Sequence, residues 1–235
     1  MLELHRLQVK VLREMALHPS RRFSDMMAVT GLTSDDFKFH LRKLVKLDLV
    51  AKNEEGLYEL TPEGKELANR FDYAERAPIR QPKLTTATIL SRANANTGQT
   101  EYLFHQRLRQ PFYWYWGVIG QPVRWGETFE DAARHGLKEQ TGLDVPVQFI
   151  GFYRQRDYEE NTDELLEDKL FVIFKADSEG KETQNWPLAN AEWMTASKYA
   201  EQKKKFKSCV DMLNIVENGQ SSFKDNTSFY PQEQY

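Results

Sequence analysis

Residues 126–143 read GETFEDAARHGLKEQTGL, and this stretch decides how the second half of the chain is expected to fold. Thr128 and Asp131 have the spacing of a capping box, and Gly126 and Gly142 bound the stretch. We therefore predict a helix over Thr128–Thr141. On that helix, positions 136, 139 and 140 share one face, because residues three and four apart are neighbours on a helix surface.

The stretch resembles the Nudix box, whose pattern is G-x5-E-x7-R-E-U-x-E-E-x-G-U, where U is a bulky aliphatic residue. An alignment without gaps matches five positions, namely Glu127, Leu137, Glu139, Gly142 and Leu143. The departures are Gln121 at the first glycine, His135 at the arginine, and Gly136 and Gln140 at two glutamates. The resemblance implies an α/β/α sandwich that hydrolyses nucleoside diphosphates linked to another moiety, with Mg²⁺ held by the box glutamates.

These departures remove much of the chemistry that the family places on the helix. Three carboxylates on one face would form an oxygen site suited to Mg²⁺, which stabilises the charge on a diphosphate. Gly136 offers no ligand, and the amide of Gln140 is neutral and cannot act as a base. We therefore expect an inactive or weak hydrolase that requires no cofactor. Glu139 is the residual catalytic and metal-binding candidate, and Glu127 is a weaker metal ligand.

The segments around the box extend the resemblance to about residues 84–215. The strand pattern YLFHQRLRQPFYWYWGVIGQPVRWGET at 102–128 precedes the helix, and NAEWM at 190–194 resembles a late strand of the family. We predict strands at 84–91, 101–107, 113–119, 147–153, 169–176 and 191–194, and a second helix over 197–217. The acidic residues 157–168 are expected to form a solvated loop, although one of them could replace a lost base or ligand. The polar tail, residues 219–235, is expected to be loosely ordered.

A nucleotide-derived ligand is expected beside the box helix, where the sequence clusters aromatic and basic residues. Aromatic faces stack on bases, and arginines bind phosphates. The ligand-binding candidates are Trp114, Trp116, Trp125, Arg107, Arg124 and Gln140. The alternative for most of the aromatic residues is packing in the core.

The first 75 residues have a different pattern, in which helices surround one short hairpin. The stretch RFSDMMAVTGLTSDDFKFHLRKLVKLDLVAKNEEGLYELTPEGKELA at 22–68 resembles the winged helix-turn-helix domains of prokaryotic transcription regulators. Ser24 is expected to cap a short helix, Gly31 to turn the chain, and 33–47 to form the recognition helix with Phe37, Leu41, Leu44 and Val45 inward. We place this domain at 1–75, a linker at 76–83, and the Nudix-like domain at 84–218.

Lys38, Arg42, Lys43 and Lys46 on the recognition helix, with Lys52 on the wing, are the DNA-binding candidates. Basic side chains supply the phosphate contacts that dominate DNA affinity. Up to Arg80 the chain holds 14 Lys or Arg against 13 Asp or Glu, so this domain is close to neutral. A solvated helix face is the alternative, and winged helices also serve as protein-contact modules.

Composition excludes several classes of protein. The formal net charge is −3, so the chain as a whole does not have the composition of a basic nucleic-acid-binding protein. Hydrophobic residues make up 40% of the chain, an ordinary value for a globular protein. No apolar run approaches the roughly 20 residues that span a bilayer. We expect a cytoplasmic homodimer that regulates transcription and senses a nucleotide-derived ligand. The alternatives are a Nudix hydrolase with a reduced Mg²⁺ site, and an adaptor that uses both folds as scaffolds.

Overall fold

The structure is a computed structural model, which describes residues 4–71, 80–178, 180, 186–218 and 222–235. The chain divides into two compact units, Met1–Arg80 and Gln81–Tyr235. Half of the predicted linker, residues 76–79, lies outside the described residues, and its last residue, Lys83, begins a strand.

The first unit is a winged helix-turn-helix, as the sequence pattern predicts. Its elements are α1 (Arg6–Leu17), α2 (Phe23–Thr30), α3 (Ser34–Lys46), β1 (Val50–Lys52), β2 (Tyr58–Leu60) and α4 (Pro62–Ala68). Gly31 ends α2 with φ 69°, a conformation that glycine adopts without steric cost. Thr33 caps α3, since its hydroxyl accepts from the backbone N–H of Asp36. The strands β1 and β2 pair antiparallel to form the wing.

Two details of this unit differ from the prediction. The short helix α2 begins at Phe23 after Arg22, so Ser24 lies inside it and does not cap it. Val45 is exposed, whereas Phe37, Leu41 and Leu44 are buried. Those three residues already fill the 3.6-residue stripe of α3 that faces the core, and Val45 falls beside it.

The second unit is a mixed sheet with helices on both faces. Its elements are β3 (Lys83–Ala93), β4 (Thr100–Arg107), β5 (Trp116–Gly117), β6 (Ile119–Pro122), α5 (Phe129–Thr141), β7 (Gln148–Glu159), β8 (Leu165–Asp177), β9 (Ala189–Met194), α6 (Ala196–Ala200), α7 (Lys207–Asn218) and β10 (Ser222–Tyr230). The strand order is β10-β7-β8-β3-β4-β5, while β6 pairs with β3 and β9 with β4.

Alternation along β3 separates the two cores of this sheet. Leu90 packs with Leu137 of α5, whereas its neighbour Ile89 packs with Met212 and Leu213 of α7. Successive strand residues point to opposite faces, so α5 and α7 cover opposite sides. The α/β/α sandwich is therefore confirmed.

Three sequence predictions are wrong in this unit. The acidic segment 157–168 is not a solvated loop, because β7 continues to Glu159, β8 starts at Leu165, and only a short turn joins them. The predicted helix 197–217 is two helices, α6 and α7. The strand predicted over 113–119 is reduced to β5 and the start of β6.

The tail is also ordered where the sequence predicted a loose segment. Residues 222–230 form β10, which pairs parallel to β7 along its whole length. Tyr230 is buried against Phe112 and Tyr115. Backbone pairing needs no apolar composition, so a polar edge strand gives little signal in the sequence.

Candidate functional site

The box helix α5 is held by local interactions that its sequence predicts. The Thr128 hydroxyl accepts from the Asp131 N–H at 3.1 Å and donates to the Asp131 carboxylate at 2.6 Å. Gly142 ends the helix with φ 75°. Asp131 therefore has the structural role expected of it, at the N-terminus of the helix.

The departures at Gln121 and Gly136 lie against each other in space. A Cβ added at Gly136 would be 2.5 Å from the Cβ and 3.1 Å from the Cγ of Gln121. Real Cβ atoms do not approach one another so closely, and the Cβ of Gln121 is fixed by the backbone of β6. The side chain present at 121 therefore fills the space that a side chain at 136 would need.

The amide of Gln140 is enclosed by two hydrogen bonds. Its Nε2 donates to the Gly120 carbonyl at 3.0 Å, and its Oε1 faces Nδ1 of His105 at 3.2 Å. A carbonyl can only accept, so the amide orientation is set and Nδ1 of His105 carries the proton. Burial lowers the pKa of His105 to about 4, because the charged ring would lose its hydration.

His135 lies between the two remaining box carboxylates. Its Nδ1 is 3.5 Å from Glu127 and its Nε2 is 3.7 Å from Glu139. Arg124 approaches the same Nε2 at 3.3 Å, and its backbone N–H donates to Glu127 at 2.9 Å. Glu127 and Glu139 are thus arranged around an imidazole.

A cavity of about 240 Å³, slightly below the usual size of ligand sites, is lined by Gln140 of α5 and by Ser208, Cys209 and Met212 of α7. Gly120 and Gln140 form part of its wall, and Phe112, Phe171 and Phe206 are among its apolar lining residues. Its polar and charged lining residues include Lys83, His105, Arg107, Arg109, Gln155, Asp157, Glu167 and Lys169.

One wall of the cavity is a four-residue cluster of alternating charge on β3, β7 and β8. Across the strand pairs, Asp157 stands opposite Glu167, and Lys83 opposite Lys169. Opposite charges meet along β8 and on the diagonals. Glu167 is 3.4 Å from Lys169, two residues along β8, and 2.7 Å from Lys83 on the neighbouring strand. Lys169 is 3.9 Å from Asp157. The cluster is balanced in charge and holds two buried carboxylates.

The two carboxylates of the cluster differ in acidity. Burial raises the pKa of Asp157 to about 6, although Lys169 opposes the rise. Burial would also raise the pKa of Glu167, but Lys169, Lys83 and the Tyr235 hydroxyl outweigh it, and that pKa lies below its usual value. Glu167 is therefore the firmly ionised partner of the lysines.

Arg107 and Arg109 are two further positively charged residues of the cavity lining. Arg107 donates from Nε to the Pro111 carbonyl at 3.1 Å, which orients its guanidinium at the end of β4. Burial and the neighbouring Arg109 lower the pKa of Arg107, although the negative charge of Glu167 opposes the fall. Two cations that repel each other beside a cavity form a site that an anion would stabilise.

A scan against models of protein families matches the NUDIX domain over residues 83–211. The chain belongs to the Nudix family. No match was found among curated protein sequences. The family therefore rests on the matched domain together with the box helix and the α/β/α sandwich.

Solved structures similar to this Nudix protein include two from Shewanella oneidensis. The NUDIX domain of NrtR complexed with ADP ribose has 17% identity and TM-score 0.49, covering 68% of this chain and 98% of that one. The structure of NrtR has 15% identity and TM-score 0.42, covering 57% of this chain and 61% of that one. The MutT protein of Bacillus halodurans has 17% identity and TM-score 0.49, covering 65% of this chain and 93% of that one.

Among the helices of the described residues, none has the length and apolar composition of a membrane span.

The face that would bind Mg²⁺ in a Nudix enzyme does not fit a Mg²⁺ ion. Gly136 has no side chain, Gln121 fills the space beside it, and the Oε1 of Gln140 is held at His105. Among the described residues, no group of three or more His, Cys, Asp or Glu side chains is placed to hold a metal. The two carboxylates that remain, Glu127 and Glu139, each lie within 4 Å of the His135 ring, outside the positions where Gly136 and Gln140 replace glutamates.

The structure brings only some predicted ligand-binding residues to the cavity. Arg107 and Gln140 line it. Trp114 and Trp116 line a separate shallow groove near Lys204, Trp125 is 86% exposed, and Arg124 contacts His135 outside the cavity. The aromatic cluster in the sequence could not show which side chains reach the cavity, because residues 113–115 are not part of a strand and the two-residue alternation does not apply to them.

Several cavity residues were missed by the sequence analysis. Gln155 and Asp157 on β7, and Glu167 and Lys169 on β8, fall in the segments interpreted as a loop or at its edges. The signal for a strand is weak here, since 154–157 are four consecutive polar residues, and only the late position of the turn residues Asn161 and Thr162 indicates that the strand continues. Lys83 was assigned to the linker but begins β3.

His105 and Asp157 predict opposite effects of pH on stability. The folded pKa of His105 is about 4, below its unfolded value, so its contribution is present above about pH 6.5 and lost as pH falls towards 4. The variant His105→Asn should therefore gain about 3 kcal/mol relative to wild type between pH 7 and pH 4. The measurement is urea unfolding monitored by tryptophan fluorescence, since all five tryptophans lie in the second unit.

Asp157→Asn is the matched control for that measurement. The folded pKa of Asp157 is about 6, above its unfolded value, so the native state gains stability as pH falls from 6 to 4. This variant should lose stability relative to wild type over the same interval. If both variants gained stability relative to wild type as pH falls, or if both lost it, the opposite pKa shifts of His105 and Asp157 would be contradicted.

Proposed function

We propose that this Nudix protein is a DNA-binding transcription regulator whose Nudix domain binds a nucleotide-derived ligand without efficient hydrolysis. The observation that carries the proposal is the exchange at Gln121 and Gly136, which closes the metal-binding face while a charged cavity remains beside it. A ligand that is not destroyed on binding can serve as a signal. The two arginines of the cavity support an anionic ligand, such as a nucleoside diphosphate linked to a second group.

The basic residues of the first unit support DNA as the partner. Lys38, Arg42 and Lys46 are exposed at successive spacings of four along α3, so they form one stripe, with Lys43 beside it. Lys52 is exposed on the wing. Phosphate contacts from such a stripe would orient α3 towards a groove. We propose that the protein acts as a homodimer, because winged helices commonly read paired half-sites.

The test for DNA binding removes two charges from the stripe. The double variant Arg42→Ala, Lys43→Ala should bind promoter DNA of its own operon at least tenfold more weakly in about 0.1 M salt. The slope of log affinity against log salt should fall by about two, because each phosphate contact releases roughly one counterion. Fluorescence anisotropy over a salt series measures both.

The matched control is Arg6→Ala, Lys10→Ala, which removes the same charge from the exposed surface of α1. It should keep most of the affinity. Equal losses in both variants would show that only net charge matters. No DNA affinity in wild type at low salt would remove the regulator and favour the adaptor.

The ligand test uses ADP-ribose, the compound named for the S. oneidensis NrtR NUDIX domain. ADP-ribose should raise the melting temperature of wild type by mass action, and Arg107→Ala should lose the shift. Product formation with Mg²⁺ or Mn²⁺ should be negligible for ADP-ribose, NADH and nucleoside triphosphates. Fast turnover that is lost in Glu139→Gln would overturn the sensor.

A hydrolase remains the second candidate because Glu127 and Glu139 survive on the same side of α5. Both lie within 4 Å of His135. If these carboxylates supported a single metal, Mn²⁺ alone should stabilise wild type in thermal melts and Glu139→Gln should abolish that shift. The regulator predicts no Mn²⁺ shift in either protein.

A further inference from the structure

Two residues of the cavity lining each have a buried acceptor atom without a hydrogen-bond partner within the described part of the chain. They are Nε2 of His105 and Oε1 of Gln155, both in residues that line the cavity. His105 is 4% exposed and Gln155 is 3% exposed. A buried polar atom without a partner destabilises the free protein by about 1–3 kcal/mol. An atom of this kind in a cavity wall is therefore a candidate contact for a ligand.

The orientation of Gln155 follows from its neighbours. One end of its amide approaches the Arg156 carbonyl at 3.2 Å and the Asp157 carboxylate at 2.8 Å. Both partners are acceptors, so this end is the NH₂ group. The other end is Oε1, which can only accept.

The same reasoning fixes the free atom of His105 as an acceptor. The amide of Gln140 donates to the Gly120 carbonyl, so its oxygen accepts a hydrogen bond from the N–H at Nδ1 of His105. The ring is neutral near pH 7, since burial lowers its pKa to about 4. Nε2 then has a lone pair and no proton. A phosphate oxygen cannot satisfy it, because a phosphate oxygen is also an acceptor.

The positions of the two acceptors indicate what can satisfy them. His105 is on β4 and Gln155 is on β7, and β8 and β3 lie between these strands in the sheet. A single donor cannot serve both atoms. The ligand must therefore carry at least two donor groups as well as the anion that Arg107 and Arg109 favour.

We propose that His105 and Gln155 are specificity-determining residues that accept hydrogen bonds from O–H or N–H groups of the ligand, so that the cavity selects a sugar phosphate or an amino-substituted nucleotide over a simple phosphate. This inference rests on the proposed function of the same cavity. The donors come from one of two sources, the hydroxyls of a sugar or the exocyclic amine of a base. Sugar hydroxyls and exocyclic amines both supply the hydrogen-bond donors that the two acceptor atoms lack.

The experiment titrates four probes into the full chain by calorimetry. Inorganic pyrophosphate has the anion without neutral donors, and ADP-ribose has both kinds of donor. Ribose 5-phosphate offers hydroxyls without the amine, and 2′,3′-dideoxyadenosine 5′-monophosphate offers the amine without sugar hydroxyls. Wild type should bind ADP-ribose at least tenfold more tightly than pyrophosphate. Whichever of the two smaller probes binds more tightly identifies the source of the donors.

Two variants remove the acceptors. His105→Asn keeps a donor near the position of Nδ1, and with it the bond to Gln140, but has no atom equivalent to Nε2. Gln155→Met replaces the amide by an apolar side chain of similar length. Each should weaken ADP-ribose about tenfold, which corresponds to about 1.4 kcal/mol, and leave pyrophosphate unchanged. Circular dichroism melts establish that each variant is folded.

Thr88→Val is the matched control, because Oγ1 of Thr88 is also buried and unpartnered in the described chain, whereas Thr88 is not a cavity residue. It should leave the affinity for every probe unchanged.

If ADP-ribose binds wild type and neither His105→Asn nor Gln155→Met weakens that binding, the role of His105 and Gln155 is overturned and the proposed function stands. If none of the four probes binds wild type, the proposed ligand-binding function falls and the inference falls with it. A loss that extends equally to pyrophosphate would show a general disruption of the cavity and would also overturn the inference.

Discussion

The variant Gly136→Glu, which returns a carboxylate to the Nudix box, should destabilise the second unit by about 3 kcal/mol. A mid-helix glycine ordinarily costs about 1 kcal/mol relative to alanine, so replacing it would stabilise an open position. Here the new Cβ would be 2.5 Å from the Cβ of Gln121, and overpacking of this kind outweighs the gain in helix propensity. Urea unfolding monitored by tryptophan fluorescence measures the change.

The contact with Gln121 makes this prediction specific. The double variant Gln121→Gly, Gly136→Glu should recover most of the lost stability, because it restores the box arrangement of glycine at 121 and glutamate at 136. Gln121→Ala should not rescue Gly136→Glu, since alanine keeps the Cβ that causes the clash. The coupling energy between the two sites should be about 2 kcal/mol. If Gln121→Ala rescued Gly136→Glu as well as Gln121→Gly does, or if the stability effects at the two positions were additive, the steric coupling between residues 121 and 136 would be contradicted.

The variant Gly64→Ala should unfold the winged-helix unit at ordinary temperatures. An added Cβ at Gly64 would lie 1.9 Å from the carbonyl oxygen and 2.9 Å from the carbonyl carbon of Leu49. These are backbone atoms, so relief requires α4 to move away from the segment before β1. We expect a loss of about 4 kcal/mol or more, which is comparable to the whole stability of a small domain.

The consequences of Gly64→Ala distinguish the two units. DNA binding should be lost, while the tryptophan unfolding curve and ADP-ribose binding should be close to wild type, because the tryptophans and the cavity belong to the second unit. Gly31→Ala is the control glycine substitution in the same unit. No atom lies within 4 Å of its added Cβ, so only the strain of φ 69° applies, at about 1 kcal/mol. If the first unit of Gly64→Ala is unfolded and the variant still binds DNA fully, the winged helix is excluded as the DNA-binding element.

Local patterns in the sequence carried most of the architecture. The cap at Thr128, the glycine at 142 and the spacing between them predicted α5, and Thr33 and Gly31 predicted the entry into α3. These features act within a few residues of each other, so their meaning does not depend on the rest of the fold. The pattern failed at β10, where pairing with the distant strand β7 outweighs a polar composition, and in the β7–β8 hairpin, where the strand ends that pair are polar and charged.

Spacing along single elements was enough to predict the two domain types, the place of the box helix and the loss of two carboxylates from its face. The contacts between elements could not be predicted in this way: Gln121 occupies the space beside Gly136, Gln140 is held by His105, and Asp157 and Glu167 are buried with two lysines in the cavity lining. These contacts connect strands β3, β4, β6, β7 and β8 with α5. They depend on which strands are neighbours in the sheet, and in this mixed sheet the order of the strands does not follow their order along the chain.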